Sequence, residues 1–241
     1  MADQQGDGYA VTAEFYDVLH GEEFLESATA RLTPFARAAR VGVLEVGAGT
    51  GLLTAVVARA LAPGVRLDAV EPSAAMRAVL QSRLALDPDL AGRVTVHACG
   101  AQDVPAARYD LVVAVDVLAT LPPDVRGEVL RVAGERCVPG GLLVAEAPGG
   151  PGEAFRAQVA GVGVLGEDVV EAELRADVEE PGVRRFTYTY RQRRAAGLVR
   201  EASESFLVWD LDEDSLRAEL ADVGFGSVER TGDGLLVARH D

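Results

Sequence analysis

Apolar and polar positions along this 241-residue chain change their period several times, and each change marks a different kind of element. Residues 9 to 40 carry Tyr9, Phe15, Tyr16, Leu19, Phe24 and Leu25 as an apolar stripe at helical spacing, which predicts helices interrupted near Gly21 and again at Pro34. From 41 to 147 short apolar runs alternate with helical stretches, a pattern that implies right-handed crossovers and a parallel sheet. The ligand crevice of such a sheet lies at the carboxyl ends of its strands. After Pro148-Gly149-Gly150-Pro151-Gly152 the pattern changes again. Phe155 to Leu165 is expected to be a helix. Val169 to Val178, Val183 to Arg193 and Leu198 to Trp209 read as strands, with Phe186, Tyr188 and Tyr190 on one face of the middle one. Turns at Pro181-Gly182 and Ala196-Gly197 join these into antiparallel hairpins. A helix over Asp212 to Val223 and strands over Ser227 to Thr231 and Leu235 to Arg239 complete the chain.

The stretch Val43-Leu44-Glu45-Val46-Gly47-Ala48-Gly49-Thr50-Gly51 is an apolar strand ending in three alternate glycines and opening a helical run, Leu52 to Leu61. A strand that stops at a glycine turn before a helix is built to hold a nucleotide-like ligand against bare backbone. The spacing is not that of a dinucleotide fingerprint, which needs its third glycine one position further on, where this chain has Leu52. A P-loop is excluded more firmly, because it requires a lysine and all 23 basic residues are arginine.

The segment E-x-G-x-G-T-G resembles the first motif of the class I S-adenosylmethionine-dependent methyltransferases, and further matches follow in the family's order. Val65 to Val70 ends in Glu71-Pro72-Ser73, where that family places the acid that holds the ribose hydroxyls. Val94 to Pro105 resembles its third strand and the turn, with Gln102 and Asp103, that edges the adenine. Tyr109 to Leu118 resembles the fourth motif, and Pro139-Gly140-Gly141 the turn into the fifth strand. The resemblance covers residues 41 to 147. It implies a Rossmann-like seven-stranded sheet flanked by helices, with an N-terminal helical lid at 1–40, a cofactor-binding core at 41–152, an antiparallel β insertion at 153–209, and a last helix and two core strands at 210–241. Similar insertions in methyltransferases of natural-product amino sugars help build the substrate pocket and a dimer contact.

The chemistry of the cofactor agrees. Adenosylmethionine is a sulfonium cation with a ribose and an amino-acid tail, so it needs closely approaching backbone, a carboxylate for the ribose diol and an apolar slot for the purine. Gly47, Ala48, Gly49 and Gly51 offer the first and Glu71 with Pro72 the second. Met76, Val115 and Leu118 are the candidates for the slot, and Glu45 and Asp116 add negative charge where the cation would sit. Each also has a plainer structural reading, as turn glycine, core side chain or helix cap.

Composition narrows the class. A hydrophobic content of 49% with 25% charged residues is that of a soluble globular protein. No run of eighteen apolar residues is free of charges, which argues against a membrane span. The polar, acidic start is unlike an export signal, so a cytoplasmic location is expected. Cys99 and Cys137 suggest neither a disulfide framework nor a metal site. A net charge of −15 repels phosphate backbones, and the only arginine cluster, Arg184 to Arg194, lies among acids, so nucleic acid is not the expected substrate.

Methyl transfer is an in-line displacement for which the protein supplies positioning and a dry pocket. A hydroxyl acceptor usually needs a general base and a neutral amine does not. Many relatives carry histidines after the leucine of the fourth motif, whereas Ala119-Thr120 follows Leu118 here. Of the three histidines, His97 falls in a strand and His240 at the C-terminus. His20 lies four residues from Tyr16 on one helical face, which makes His20 the candidate base and Tyr16 a candidate contact to cofactor or substrate. Glu146, Tyr188 and Trp209 are candidate substrate contacts. The expected activity is methyl transfer from adenosylmethionine to a small molecule, with amine or amino-sugar nitrogen ahead of hydroxyl oxygen and a homodimer as a possible assembly. The alternatives are a cyclase-like enzyme that binds adenosylmethionine without transferring methyl and, less well matched by the glycine spacing, a nicotinamide oxidoreductase.

Overall fold

The computed structural model describes residues 8–150 and 152–241. Two helices open it, α1 (Thr12–Leu19) and α2 (Glu22–Ala38). The alternating region follows as β1 (Val43–Val46), α3 (Leu52–Ala60), β2 (Leu67–Val70), α4 (Ala74–Ala85), the short α5 (Pro88–Ala91), β3 (Val94–His97), β4 (Tyr109–Ala114), α6 (Pro123–Arg136) and β5 (Cys137–Glu146). Four long strands, β6 (Phe155–Leu165), β7 (Asp168–Glu180), β8 (Val183–Arg194) and β9 (Gly197–Trp209), precede α7 (Glu213–Asp222), β10 (Phe225–Arg230) and β11 (Leu235–His240).

The first five strands run parallel, and β11 inserts antiparallel between β5 and β10, giving the order β10-β11-β5-β4-β1-β2-β3. Strand alternation sorts the side chains into two cores. Leu44, Val112 and Leu143 face Leu130, Leu216, Leu220 and Phe225 beneath α6 and α7. Val43, Leu111, Val113 and Val144 face Leu32, Val57 and Leu80 beneath α2, α3 and α4. The chain moves from β1 to β2 and β3 on one side, then returns to place β4 on the other, so the order reverses between β1 and β4. That reversal is where an open α/β sheet leaves a crevice.

The remaining strands form a separate antiparallel sheet, β6-β7-β8-β9, and α1 lies across it. Phe15 stacks on Tyr190 at 4.9 Å between ring centroids, and the Tyr190 hydroxyl donates to Thr12 Oγ1 at 2.9 Å. The Glu204 carboxylate accepts the Thr12 N–H at 2.8 Å, capping the helix start from the sheet. By contrast α2 packs against α3 on the main sheet. The two opening helices therefore belong to different layers and part at Gly21.

Two expectations are corrected. Pro34 does not interrupt α2, which runs through it, because the ring faces solvent while Leu32 and Ala36 on the opposite face are buried, so burial outweighs the lost backbone bond. Residues 155–165 form a strand, not a helix. Gly161 and Gly163 explain the misreading: they make one strand face from bare backbone, which removes the alternation. A Cβ on Gly163 would lie 2.0 Å from the Val18 carbonyl oxygen, so the glycines are what let α1 sit on the sheet. Among the described residues no helix is long and apolar enough to cross a membrane.

Candidate cofactor cleft

A cleft partly open to solvent lies at the carboxyl ends of β1 and β4 and is lined by Tyr16, Phe24, Gly47, Ala48, Gly49, Thr50, Leu53, Val115 and Asp116, among others. Its floor is the glycine turn, with φ of +71°, +57° and +84° at Gly47, Gly49 and Gly51. The three glycines serve different ends. A Cβ on Gly47 would lie 2.7 Å from Val117 Cγ2 and one on Gly51 2.4 Å from Leu80 Cδ1, so these two permit close packing of loop on protein. A Cβ on Gly49 would meet nothing within 4 Å, because that position faces the open cleft.

Glu71, at the end of β2, is 6% exposed and reaches back under the loop. Its Oε2 accepts the Gly49 N–H at 2.8 Å and its Oε1 the Ser73 N–H at 2.7 Å. Burial pushes its carboxyl up, against the lowering effect of these two bonds and of Arg77. One carboxylate thus fixes both the glycine turn and the start of α4, and each oxygen keeps a lone pair for a diol. Below the loop, Glu45 is fully enclosed and its pKa is pushed up to about 8 by burial and by the Glu71 charge. The Thr54 hydroxyl is near enough to ease that shift but outside bonding geometry, so Glu45 Oε2 and Thr54 Oγ1 have no partner among the described residues. Burial thus keeps Glu45 largely protonated at neutral pH, a polar group held beneath the cleft.

Asp116 takes a left-handed conformation, φ +57°, just past β4 and opens its carboxylate onto the cleft. Desolvation raises its pKa, while Arg31 and His20 lower it. Tyr16 faces it from α1, and burial and the Asp116 charge hold the phenol well above its ordinary value, so it stays protonated at neutral pH. His20 stacks behind Tyr16 at 4.0 Å between ring centroids, with Phe24 edge-on at 4.6 Å. Its Nδ1 lies 2.8 Å from the Tyr16 carbonyl oxygen, which requires the proton on Nδ1 and leaves Nε2 as the free nitrogen.

Of the residues singled out in the sequence, the cleft lining therefore gathers Tyr16, Gly47, Ala48, Gly49, Val115 and Asp116, with Glu71 bonded to the lining from beneath. Met76 and Leu118 are packed in the interior, 5% and 4% exposed, and Pro72 lies on the turn after β2. Gln102 and Asp103 sit exposed on a single 3₁₀ turn beyond that edge. Tyr188 stands on the inner face of the small sheet, within reach of the Asp116 charge and stacked on Phe206 at 5.6 Å. Trp209 alternates with Ser203 and Ser205 onto the outer face, so the fold does not bring it to Tyr188. Glu146 pairs with Arg31 at 2.7 Å. His97 bonds Asp68 at 2.7 Å, and Arg184, Arg185, Arg191 and Arg194 pair with Asp210, Glu179, Glu173 with Glu201, and Asp168 respectively.

Several residues of the cleft were not singled out from sequence. Asp17 accepts from Thr50 Oγ1 at 2.6 Å and pairs with Arg83, which ties α1 to the glycine turn. Tyr9, Glu204 and Phe206 crowd the same mouth. A carboxylate one residue from the aromatic Tyr16 was the only sequence signal for Asp17.

A glycine turn at the switch point with an acid at the end of the next strand defines an α/β protein that holds a nucleoside-type ligand. Residues 44–143 match the methyltransferase domain family. Domains of that family use S-adenosylmethionine as their cofactor. A search of curated protein sequences gives no match. Among solved structures the fold is similar to DesVI from Streptomyces venezuelae, with a TM-score of 0.76 and 19% identity over 97% of this chain and 98% of that one. It is similar also to the sugar N-methyltransferase KedS8 from Streptoalloteichus sp., at 0.74 and 21% over 100% and 95%. CalS10 from Micromonospora echinaspora, an amino pentose methyltransferase involved in calicheamicin biosynthesis and solved with S-adenosylmethionine bound, gives 0.71 and 21% over 96% and 95%.

Proposed function

We propose that this chain transfers the methyl group of S-adenosylmethionine to the nitrogen of a small-molecule amine, an amino sugar of a natural product being the favoured class, and releases S-adenosylhomocysteine in the cytoplasm. The observation that carries the choice of acceptor is the mouth of the cleft. Asp116 stands there among the protonated phenols of Tyr16 and Tyr188, a combination of carboxylate and aromatic faces that attracts an ammonium group. The similarity of the fold to the sugar N-methyltransferase KedS8 and to a glycopeptide N-methyltransferase supports nitrogen.

Bound adenosylmethionine supplies an activated methyl on a good leaving group, so the protein has to hold, orient and dry the reacting pair. In this reading the backbone of Gly47, Ala48 and Gly49 takes the amino-acid end, and Glu71 beside Pro72 holds the ribose. Met76 and Leu118 back the purine slot, with Gln102 and Asp103 at its edge. Asp116 balances the positive charge. Helix α1 and the small sheet act as one cover, latched to the glycine turn through Asp17. His20 Nε2 takes the proton that an ammonium acceptor must shed before its lone pair can attack. Exposed Val164, Val169 and Leu198 lie in one row across the outer face of the sheet and would form a dimer contact.

The test is methyl transfer from deuterium-labelled adenosylmethionine to amino sugars and their hydroxyl counterparts, read by mass spectrometry. Label on nitrogen supports the proposal. Label on the hydroxyl compounds alone refutes the choice of atom, and cofactor binding with no transfer to any acceptor favours a cyclase-like chemistry.

A further inference from the structure

Among the described residues, two that are not glycine take a left-handed backbone: Asp116, in the cleft, and Tyr9, at φ +71°. That conformation costs a tyrosine free energy and a glycine none, so it persists only where the surroundings over-determine it. Both layers pin it here. From the main sheet the Ser73 hydroxyl, two residues past Glu71, donates to the Gly8 carbonyl oxygen at 2.9 Å. From the small sheet the Glu204 carboxylate accepts the Val11 and Thr12 N–H groups at 3.4 and 2.8 Å, and the Tyr9 carbonyl oxygen takes the Ala13 N–H at 2.9 Å.

The strained backbone places one ring. Tyr9 packs on Phe206 with 5.1 Å between centroids, and Phe206 stacks on Tyr188, which feels the Asp116 charge, at 5.6 Å. On its other side Tyr9 reaches the turn after β4, where the Thr120 hydroxyl is near enough to ease the upward push, to about 12, that burial gives the phenol. Thr120 Oγ1 donates to the Val117 carbonyl oxygen at 2.7 Å, so towards Tyr9 it can only accept. The ring therefore spans the gap between β9 and the end of β4. Beyond it the aromatic row of the small sheet continues through Phe186, 6.4 Å from Phe206, to Phe155, 6.2 Å further on. An apolar row thus leads away from the Asp116 carboxylate, and Tyr9 stands across it.

We propose that Tyr9 is a specificity-determining residue whose ring closes the acceptor side of the cleft along Tyr188, Phe206 and Phe186, and so limits the size of the group an acceptor carries beside its amine. The proposal rests on the amine-acceptor reading of the cleft mouth. Tyr9 also feels the Glu71 charge, so the competing assignment is a cover over the nucleoside.

The test sets two amines in competition for deuterium-labelled S-adenosylmethionine: a free amino hexose, and the same sugar with a benzyl ether on the hydroxyl next to the nitrogen. The ratio of labelled products, read by mass spectrometry, does not depend on how much of a variant is folded, so a loss of stability leaves it unmoved. Tyr9→Gly deletes the ring at a position whose backbone suits glycine. It is expected to raise the ratio of benzylated to free product at least about tenfold, the lower end of what one methylene is worth in a shaped pocket. Tyr9→Phe keeps the ring and is expected to leave the ratio at the wild-type value. An unchanged ratio in Tyr9→Gly overturns the proposal, and a simultaneous loss of S-adenosylhomocysteine affinity assigns the ring to the nucleoside instead. A ratio that moves as far in Tyr9→Phe also overturns it, because the hydroxyl and not the ring is then the determinant. A wild-type chain that binds S-adenosylhomocysteine yet methylates neither amine overturns the acceptor reading and Tyr9 with it, a result distinct from any change of ratio.

Discussion

The glycine turn yields a pair of substitutions whose effects should separate stability from binding. Gly51→Ala puts a methyl group 2.4 Å from Leu80 Cδ1 at a φ of +84°, inside packed protein. A left-handed alanine costs roughly 1–2 kcal/mol and an overpacked methyl roughly 1–3 kcal/mol, for a sum of about 2–5 kcal/mol. For a chain of this size that is a Tm lowered by about 5–15 °C. Gly49→Ala has a similar backbone cost, φ +57°, but its methyl projects into open cleft, so the expected fall in Tm is only about 2–6 °C. That methyl instead occupies the floor on which the cofactor would lie, where an overlap of roughly 1–3 kcal/mol weakens binding about 5- to 150-fold. Thermal melts and titration of S-adenosylhomocysteine on both variants give the comparison, each value referred to the wild type. Equal losses of stability, or a Gly49→Ala protein that binds as the wild type does, would refute the assignment of Gly49 to the ligand side of the turn.

Glu71→Ala removes the acceptor of two backbone N–H groups and the proposed ribose contact together. Binding of S-adenosylhomocysteine should fall about 100-fold by titration, from two proposed ribose bonds of roughly 1.5 kcal/mol each. Glu45 gives a pH dependence: its folded value of about 8 exceeds the ordinary 4.5, so the folded chain keeps a proton that the unfolded chain sheds. The stability tied to that proton is full below about pH 4.5 and is lost as the pH rises to 8, by at most roughly 5 kcal/mol. Melts of Glu45→Gln between pH 5 and 8 should therefore fall less than those of the wild type, and an equal or steeper fall would sink this account of Glu45. His20→Ala should lower turnover of a true substrate by at least tenfold with cofactor affinity unchanged; unaltered turnover removes His20 as the base. Val164→Asp should shift a dimer to monomer in light scattering, and a dimer that persists assigns the contact elsewhere.

The parallel sheet was legible because its strands are short apolar runs set between helical stretches, and local pattern alone marks such strands. The position of the glycine turn and of Glu71 beneath it was legible because a strand that turns sharply into a helix needs glycines at the left-handed positions, and the next strand ends beside it. Residues 155–165 were misread because Gly161 and Gly163 replace side chains with the backbone of α1, a tertiary fact with no local signature. Arg31 was invisible for a similar reason: on an amphipathic helix an arginine is ordinarily solvated, and only the approach of β5 brings Glu146 to it. Trp209 shows the limit of counting aromatics, since strand parity, set by register over the whole hairpin, turns it to the outer face. The small sheet's tie to α1 through Glu204 and Tyr190 joins positions far apart in the chain, which no spacing rule reaches.

The most direct test of the account is calorimetric titration of the wild-type chain with S-adenosylmethionine, S-adenosylhomocysteine and NADH in parallel. The account predicts saturable one-to-one binding of the first two and none of NADH. Binding of NADH, or of none of the three, would contradict it.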